Sequence, residues 1–237
     1  MTIWFSNGTF NKINTDPNQR FSPEFLQCFS IDKVNAIELN CYNEAMVDYI
    51  LGLPTFDVSG FLFVSFHTPA IHYDDNEETH RVLKKLRILH KRIGIKNFIF
   101  HADTIYDWNT LYAYRDLPIS IENMDNNKSF GRSVADIKSI LDRYDFGLTL
   151  DLQHCFVNDN SMQLALDFQK EFKDKIVEYH ISGFEANILH YPLFNLQQDI
   201  IIDSLRYKNI PIIIESCFDE IGDQKKELAY IQNKIND

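Results

Sequence analysis

Short runs rich in β-branched and aromatic residues alternate along the chain with segments whose apolar positions recur at helical spacing. The runs predict strands at 2–6, 36–40, 60–67, 97–102, 119–123, 147–152, 176–182 and 210–216. The segments between and after them predict helices at 22–30, 44–51, 77–93, 105–115, 133–144, 161–173, 195–208 and 222–235. The helix over 133–144 has the fullest signature: Ser133 stands as N-cap, Asp136 in capping-box position, and Val134, Ile137, Ile140 and Leu141 share one side. In the helix over 77–93, Val82, Leu86, Leu89 and Ile93 form one stripe, Glu77 and Glu78 lie near the start, and Gly94 ends it.

Strands alternating with helices imply parallel pairing through right-handed crossovers. Eight such units in 237 residues predict one α/β domain, residues 1–237, folded as a (β/α)8 TIM barrel with parallel strands. An open doubly wound sheet is the rival arrangement. Neither GxGxxG nor GxxxxGK[ST] follows any strand, so its nucleotide-binding form has no support.

Composition narrows the function classes. With 45% hydrophobic and 24% charged residues the chain is that of a globular protein. No apolar run reaches the ~20 residues of a membrane helix, and no basic start followed by an apolar stretch marks a secretory signal. A cytoplasmic location is the default expectation. A net charge of −11 disfavours a nucleic-acid partner. The basic run from Arg81 to Lys96 reads as the solvated faces of an amphipathic helix. Cys28, Cys41, Cys155 and Cys217 show no CxxC spacing, which argues against a zinc knuckle and a disulfide framework.

Candidate chemistry gathers where the strands end. His67, His101, Glu122, Asp151, His180 and Glu215 all lie at C-terminal ends of predicted strands, which in a barrel converge on one mouth. Three carboxylates in a partly buried mouth repel and are pushed towards protonation unless a cation lies among them. Carboxylates with imidazoles suit Zn²⁺, Mn²⁺ or Fe²⁺. His154 follows Asp151 by three residues and reaches the mouth only if the chain turns after Asp151. His190 lies in the loop after another strand. Glu38 and Glu178 are expected to be a structural polar pair of the barrel floor or to face outward. His72, His80 and His90 are expected on the surface or on helices, with Cys155 and Cys217 pointing away from the mouth.

The set resembles the xylose isomerase-like TIM barrels, which include sugar isomerases and epimerases and the endonuclease IV branch. The resemblance runs along the whole chain and is sharpest in "IENM", "LDLQH", "EYHIS" and "IIIES". For the epimerase-like members it implies one divalent metal held by Glu122, Asp151, His180 and Glu215, with His154 three residues after the Asp. "SFHTP" and "IFHAD" are similar to the endonuclease IV branch, which implies further metal-binding roles for His67, His101 and His154, and between one and three ions in all. That branch also carries an Asp-x-His pair after the seventh strand; here Ile188 stands in the Asp position before His190.

The leading expectation is a metal-dependent isomerase or epimerase of a small, sugar-like carbonyl compound. The resemblance implies that the metal polarises the carbonyl and stabilises an enediolate, and that Glu122 and Glu215 move the proton. His154, His67 and His190 would bind substrate hydroxyls. An endonuclease IV-like zinc phosphodiesterase is the first alternative, and a non-catalytic metal- or sugar-binding barrel the second.

Overall fold

The computed structural model describes residues 2–14, 16–28, 36–186 and 188–236. Strands β1 (Ile3–Phe5), β2 (Ala36–Asn40), β3 (Phe63–His67), β4 (Asn97–His101), β5 (Ile119–Glu122), β6 (Gly147–Asp151) and β7 (Ile176–Ile181) run through the chain in turn. A small antiparallel pair follows, β8 (Gly183–Glu185) and β9 (Ile188–Tyr191), before β10 (Ile212–Ile214) completes the set. All strands but that pair form one parallel sheet in the order β1-β10-β7-β6-β5-β4-β3-β2, and a parallel bridge between Ser6 and Glu38 brings its edges together. The predicted (β/α)8 TIM barrel is the observed architecture.

The helices are α1 (Pro23–Cys28), α2 (Glu44–Gly52), α3 (Glu77–Ile93), α4 (Trp108–Tyr112), α5 (Val134–Leu141), α6 (Leu152–Asn158), α7 (Gln163–Glu171), α8 (Leu193–Leu196), α9 (Asp199–Asp203) and α10 (Asp223–Asn236). In α3, Asn76 caps the first turn, Gly94 ends the helix in the left-handed conformation, and Val82, Leu83, Leu86 and Leu89 are buried. Burial of each is worth about 1.5–3 kcal/mol. The full capping box expected at Ser133 and Asp136 is present.

Several expected boundaries move. The helix over 22–30 is described only to Cys28, and residues 29 and 30 lie outside the described residues. The helix over 105–115 shrinks to α4, capped by Asp107. The helix over 195–208 breaks into α8 and α9 at Gln197, which is left-handed with φ 53°. The amide of the next residue, Gln198, accepts from Phe184 N (2.9 Å) and donates to Phe184 O (2.7 Å), holding the break against β8. β10 starts only after Pro211, which has no N–H for the ladder.

The pleat sorts side chains into two populations. Ile37, Leu39, Val64, Phe66, Phe98, Phe100, Ile121, Leu148, Leu150, Tyr179 and Ile181 belong to the apolar core. The alternate positions Glu38, Ser65, Ser120, Thr149 and Glu178 are also fully buried, yet polar. The lumen is therefore mixed: Glu38, Ser65, Ser120, Thr149 and Glu178 make a polar floor on one side, and Trp4, Ile99 and Ile213, in register with inward-facing His180 or Ser120, fill the rest, whereas many barrels of this kind fill the lumen with branched apolar residues throughout.

Candidate metal centre

One period above the floor, the alternation that sets Ser65, Ser120, Thr149 and Glu178 inward also sets His67, Glu122, Asp151 and His180 inward. The register completes the grouping: His101 pairs with Glu122, and Asp151 with His180. Glu215 follows β10 directly and still donates its N–H to Ile181 O (3.0 Å). All six strand-end residues thus meet at the mouth.

They form two groups that share Glu122. In the first, ligand-type atoms of Glu122, Asp151, His180 and Glu215 lie within 4.8 Å of one another. His180 Nδ1 is 3.1 Å from Glu122 Oε1 and 3.3 Å from Glu215 Oε2. In the second, the Nε2 atoms of His67 and His101 are 3.0 Å apart, and each is 3.3 Å from Glu122 Oε2. A tetrahedral ion with bonds of ~2.0–2.1 Å has ligand–ligand edges of about 3.3–3.4 Å, so these spacings suit a zinc-sized cation. A third group, Glu38, Glu178 and His180, lies below in the floor.

Unfilled hydrogen-bonding capacity supports the fit. Glu122 Oε2 and Asp151 Oδ2 are buried without a hydrogen bond, a costly state for carboxylate oxygens that a cation relieves. The donor set of carboxylates and imidazoles is one that Zn²⁺, Mn²⁺ and Fe²⁺ accept.

Asp151 shows how local folding builds the site. Its Oδ1 accepts from His154 N (2.8 Å) as the N-cap of α6, leaving Oδ2 for the mouth. The turn into α6 carries His154 back over the mouth, as its position required, to 8% side-chain exposure. His154 Nδ1 lies 2.7 Å from the Asn123 carbonyl. When the ring is neutral, Nδ1–H donates there and Nε2 presents its lone pair. Asn123 was not singled out in the sequence. Its amide accepts from Asp151 N (2.7 Å) and donates to Asp151 O (3.0 Å), continuing the β5–β6 ladder through a side chain. A short polar residue directly after a strand-end Glu was the available signal.

His190 sits on the β8–β9 pair at φ 57°, with Nδ1 3.1 Å from Ser182 Oγ and 3.6 Å from Glu215 Oε2. Glu178 accepts from Ser65 Oγ and Asn97 Nδ2, both at 2.7 Å, which places it in the floor, one of the two positions the sequence left open. Cys155 is buried near Asn123, and burial pushes its thiol well up, away from the thiolate form. Among the described residues Cys41, Cys155 and Cys217 are free thiols, and nothing is described of the Cys28 side chain.

The charges are strongly coupled. Burial opposes the ionised form of Glu122, but His180, His101 and His67 more than offset it and hold its carboxyl well below the usual range. Glu215 is likewise held low, by His180 above all. Asp151 is raised to about 6 by burial, reinforced by Glu215 and Glu122. Burial works against the imidazolium of His180, yet Glu215, Glu38 and Glu122 raise its pKa well above the ordinary value. His67 is raised to about 9 by Glu122 against burial, whereas burial lowers His101. Opposite shifts are what two rings 3.0 Å apart require, since one carries the proton that the other accepts.

The site opens into a cavity of ≈ 270 Å³ walled by Asn40, Tyr42, Thr68, Met124, His154 and His190, among others. Lys128 is the only Lys or Arg among the described residues lining it, and it is paired with Asp103 at 3.0 Å.

No protein-family model matches the chain, and no curated protein sequence does. Solved structures do match. The probable 3-DHS dehydratase AsbF from Bacillus anthracis aligns over 98% of both chains at 13% identity and a TM-score of 0.67. Endonuclease IV from Thermus thermophilus aligns over 100% of this chain and 99% of its own at 11% identity and a TM-score of 0.65. At these identities the likeness is one of fold, the (β/α)8 barrel that this chain shares with both. An L-ribulose 3-epimerase extends the likeness, covering 97% of this chain and 86% of its own at 14% identity and a TM-score of 0.60. Barrels as different in activity as a probable dehydratase, an endonuclease and an epimerase share the frame, so chemistry here must be argued from the mouth. No helix among the described residues is long and apolar enough to cross a membrane.

Proposed function

We propose that the protein is a divalent-metal-dependent isomerase or epimerase of a small polyhydroxylated carbonyl compound, with the ion held by Glu122, Asp151, His180 and Glu215. The observation that carries this reading is the tetrad opening onto a small cavity whose one described lysine is already paired. A phosphate backbone would call for several free cations, whereas Asn40, Tyr42, Thr68, His154 and His190 offer hydrogen bonds for hydroxyl groups. The epimerases among the structural neighbours support the same reading.

A cation in the tetrad supplies Lewis-acid polarisation of a substrate carbonyl and its neighbouring hydroxyl. Glu215, ionised and reaching the cavity wall, takes the proton from the carbon beside the carbonyl. Glu122 returns a proton passed to it by His67 at 3.3 Å, while the proton taken by Glu215 leaves to solvent through the cavity and His67 is reprotonated from the same solvent. His154, its Nδ1 held against the Asn123 carbonyl, turns Nε2 towards a substrate hydroxyl. Asn123 and the α6 cap keep Asp151 and His154 in place.

The test is exchange of substrate C–H with solvent deuterium, followed by NMR across a panel of ketoses and 2-oxo compounds with Mn²⁺, Co²⁺ or Zn²⁺. Exchange that disappears in Glu215→Gln is expected; no exchange with any compound would overturn the reading. A second reading, a zinc phosphodiesterase, is favoured by the His67–His101–Glu122 group, because a carboxylate shared by two cation sites is the arrangement of two-metal hydrolysis. Two or more tightly bound zinc ions together with cleavage of an abasic-site duplex would establish it instead.

A further inference from the structure

Below the tetrad, Glu38 is fully buried, and neither of its carboxylate oxygens has a hydrogen bond. Its Oε2 is 3.0 Å from His180 Nε2, an ion-pair distance at which the N–H and oxygen are not yet lined up. The other floor carboxylate is no competitor. Glu178 lies 3.8 Å from the same nitrogen and already accepts from Ser65 and Asn97. The opposite ring nitrogen, Nδ1, is hydrogen-bonded to Glu122 Oε1 (3.1 Å) and lies 3.3 Å from Glu215 Oε2 in the mouth, a contact that a cation held there would replace.

An imidazole binds a cation through one nitrogen and carries its proton on the other, and the acceptor facing that proton selects the arrangement. We propose that Glu38 is a positioning residue that accepts the Nε2–H of His180, fixing the tautomer and ring orientation that aim Nδ1 at the mouth. The inference rests on the tetrad reading above and adds to it a residue that touches neither substrate nor ion. It also gives the polar side of the lumen a purpose. Ser65, Asn97, Ser120 and Thr149 are linked by hydrogen bonds to Glu178 or to one another, so Glu178 is occupied and Glu38 is left for His180.

The test is zinc affinity by competition with a chromophoric chelator, for the whole protein, Glu38→Met and Glu38→Gln, with each fold checked by circular dichroism. Glu38→Met is expected to bind zinc about 10–100-fold more weakly, the usual cost of losing such a partner. Glu38→Gln, which keeps an acceptor oxygen, is expected to lose less. Imidazole ¹⁵N shifts of the unmutated protein provide a readout that needs no variant. They should show His180 protonated at Nε2 in the zinc-loaded form. Zinc affinity unchanged in both folded variants, or a zinc-loaded His180 without a proton at Nε2, would overturn the inference while leaving the tetrad reading intact. An unmutated protein that binds no zinc, manganese or cobalt overturns both.

Discussion

Glu227 and Asp151 are both buried carboxylates, and they are partnered in opposite ways. Glu227 accepts from Ser216 Oγ (2.5 Å), Leu193 N (2.9 Å) and Phe194 N (2.9 Å), tying α10 to the start of α8 and the end of β10. Asp151 uses one oxygen to cap α6 and leaves the other buried with no hydrogen bond. A carboxylate whose lone pairs are filled by the chain is part of the scaffold. Asp151, held in place at the mouth with its second oxygen unfilled and no described histidine closer to it than 3.7 Å, is arranged for a group the chain does not supply.

The largest expected effect breaks that contrast on the functional side. Asp151→Asn keeps a helix cap but removes the charge, and should weaken metal binding by at least ~100-fold, beyond the range for residues behind the ligands. Because the Asp151 pKa is raised to about 6, the metal-free variant should be as stable as the unmutated protein, or more so, above that pH. Isothermal titration and chemical denaturation check the two halves.

Glu227→Ala should do the reverse. Leaving two backbone N–H groups and a hydroxyl unsatisfied should cost about 2–4 kcal/mol in denaturant unfolding, with metal affinity per folded molecule unchanged. A smaller effect sharpens the division inside the mouth. In His67→Ala one equivalent of metal should remain and KM should rise; a drop from two equivalents to one, by elemental analysis, would transfer support to the two-metal reading.

The pH profile gives the gentlest test. In metal-free protein, His67 is raised from 6.5 to about 9, so the stability it lends is complete below 6.5 and lost as pH rises through about 9. Asp151, raised from 3.8 to about 6, is most compatible with the fold when protonated, and that contribution is gone above about 6. His180 and His154 act in the same direction, and His101, lowered by burial, acts against them. The melting temperature without metal should therefore fall from about pH 6 to 9. Metal binding displaces those protons, so the gap between loaded and metal-free protein should widen over the same range.

The alternation of apolar runs made the barrel readable, because each strand needs only a few residues of correct type. The six strand-end residues were readable for the same reason: period two and a common mouth leave them little freedom. His154 depended on a turn the strand pattern does not encode, and that turn comes from the Asp151 cap. The break at Gln197 is not legible in the sequence, because it is held by the contact of Gln198 with Phe184 of β8. Glu38 was expected either in the floor or facing outward; only the closed barrel brings it to His180, because the contact spans β2 and β7, which are distant in sequence.

Metal content of the natively purified protein, with anomalous scattering to place each ion, tests the central claim most directly. The account predicts an ion bonded at ~2.0–2.6 Å to Glu122, Asp151, His180 and Glu215. Protein that remains metal-free in excess Zn²⁺, Mn²⁺ and Fe²⁺, or an ion bound away from these four residues, would contradict it.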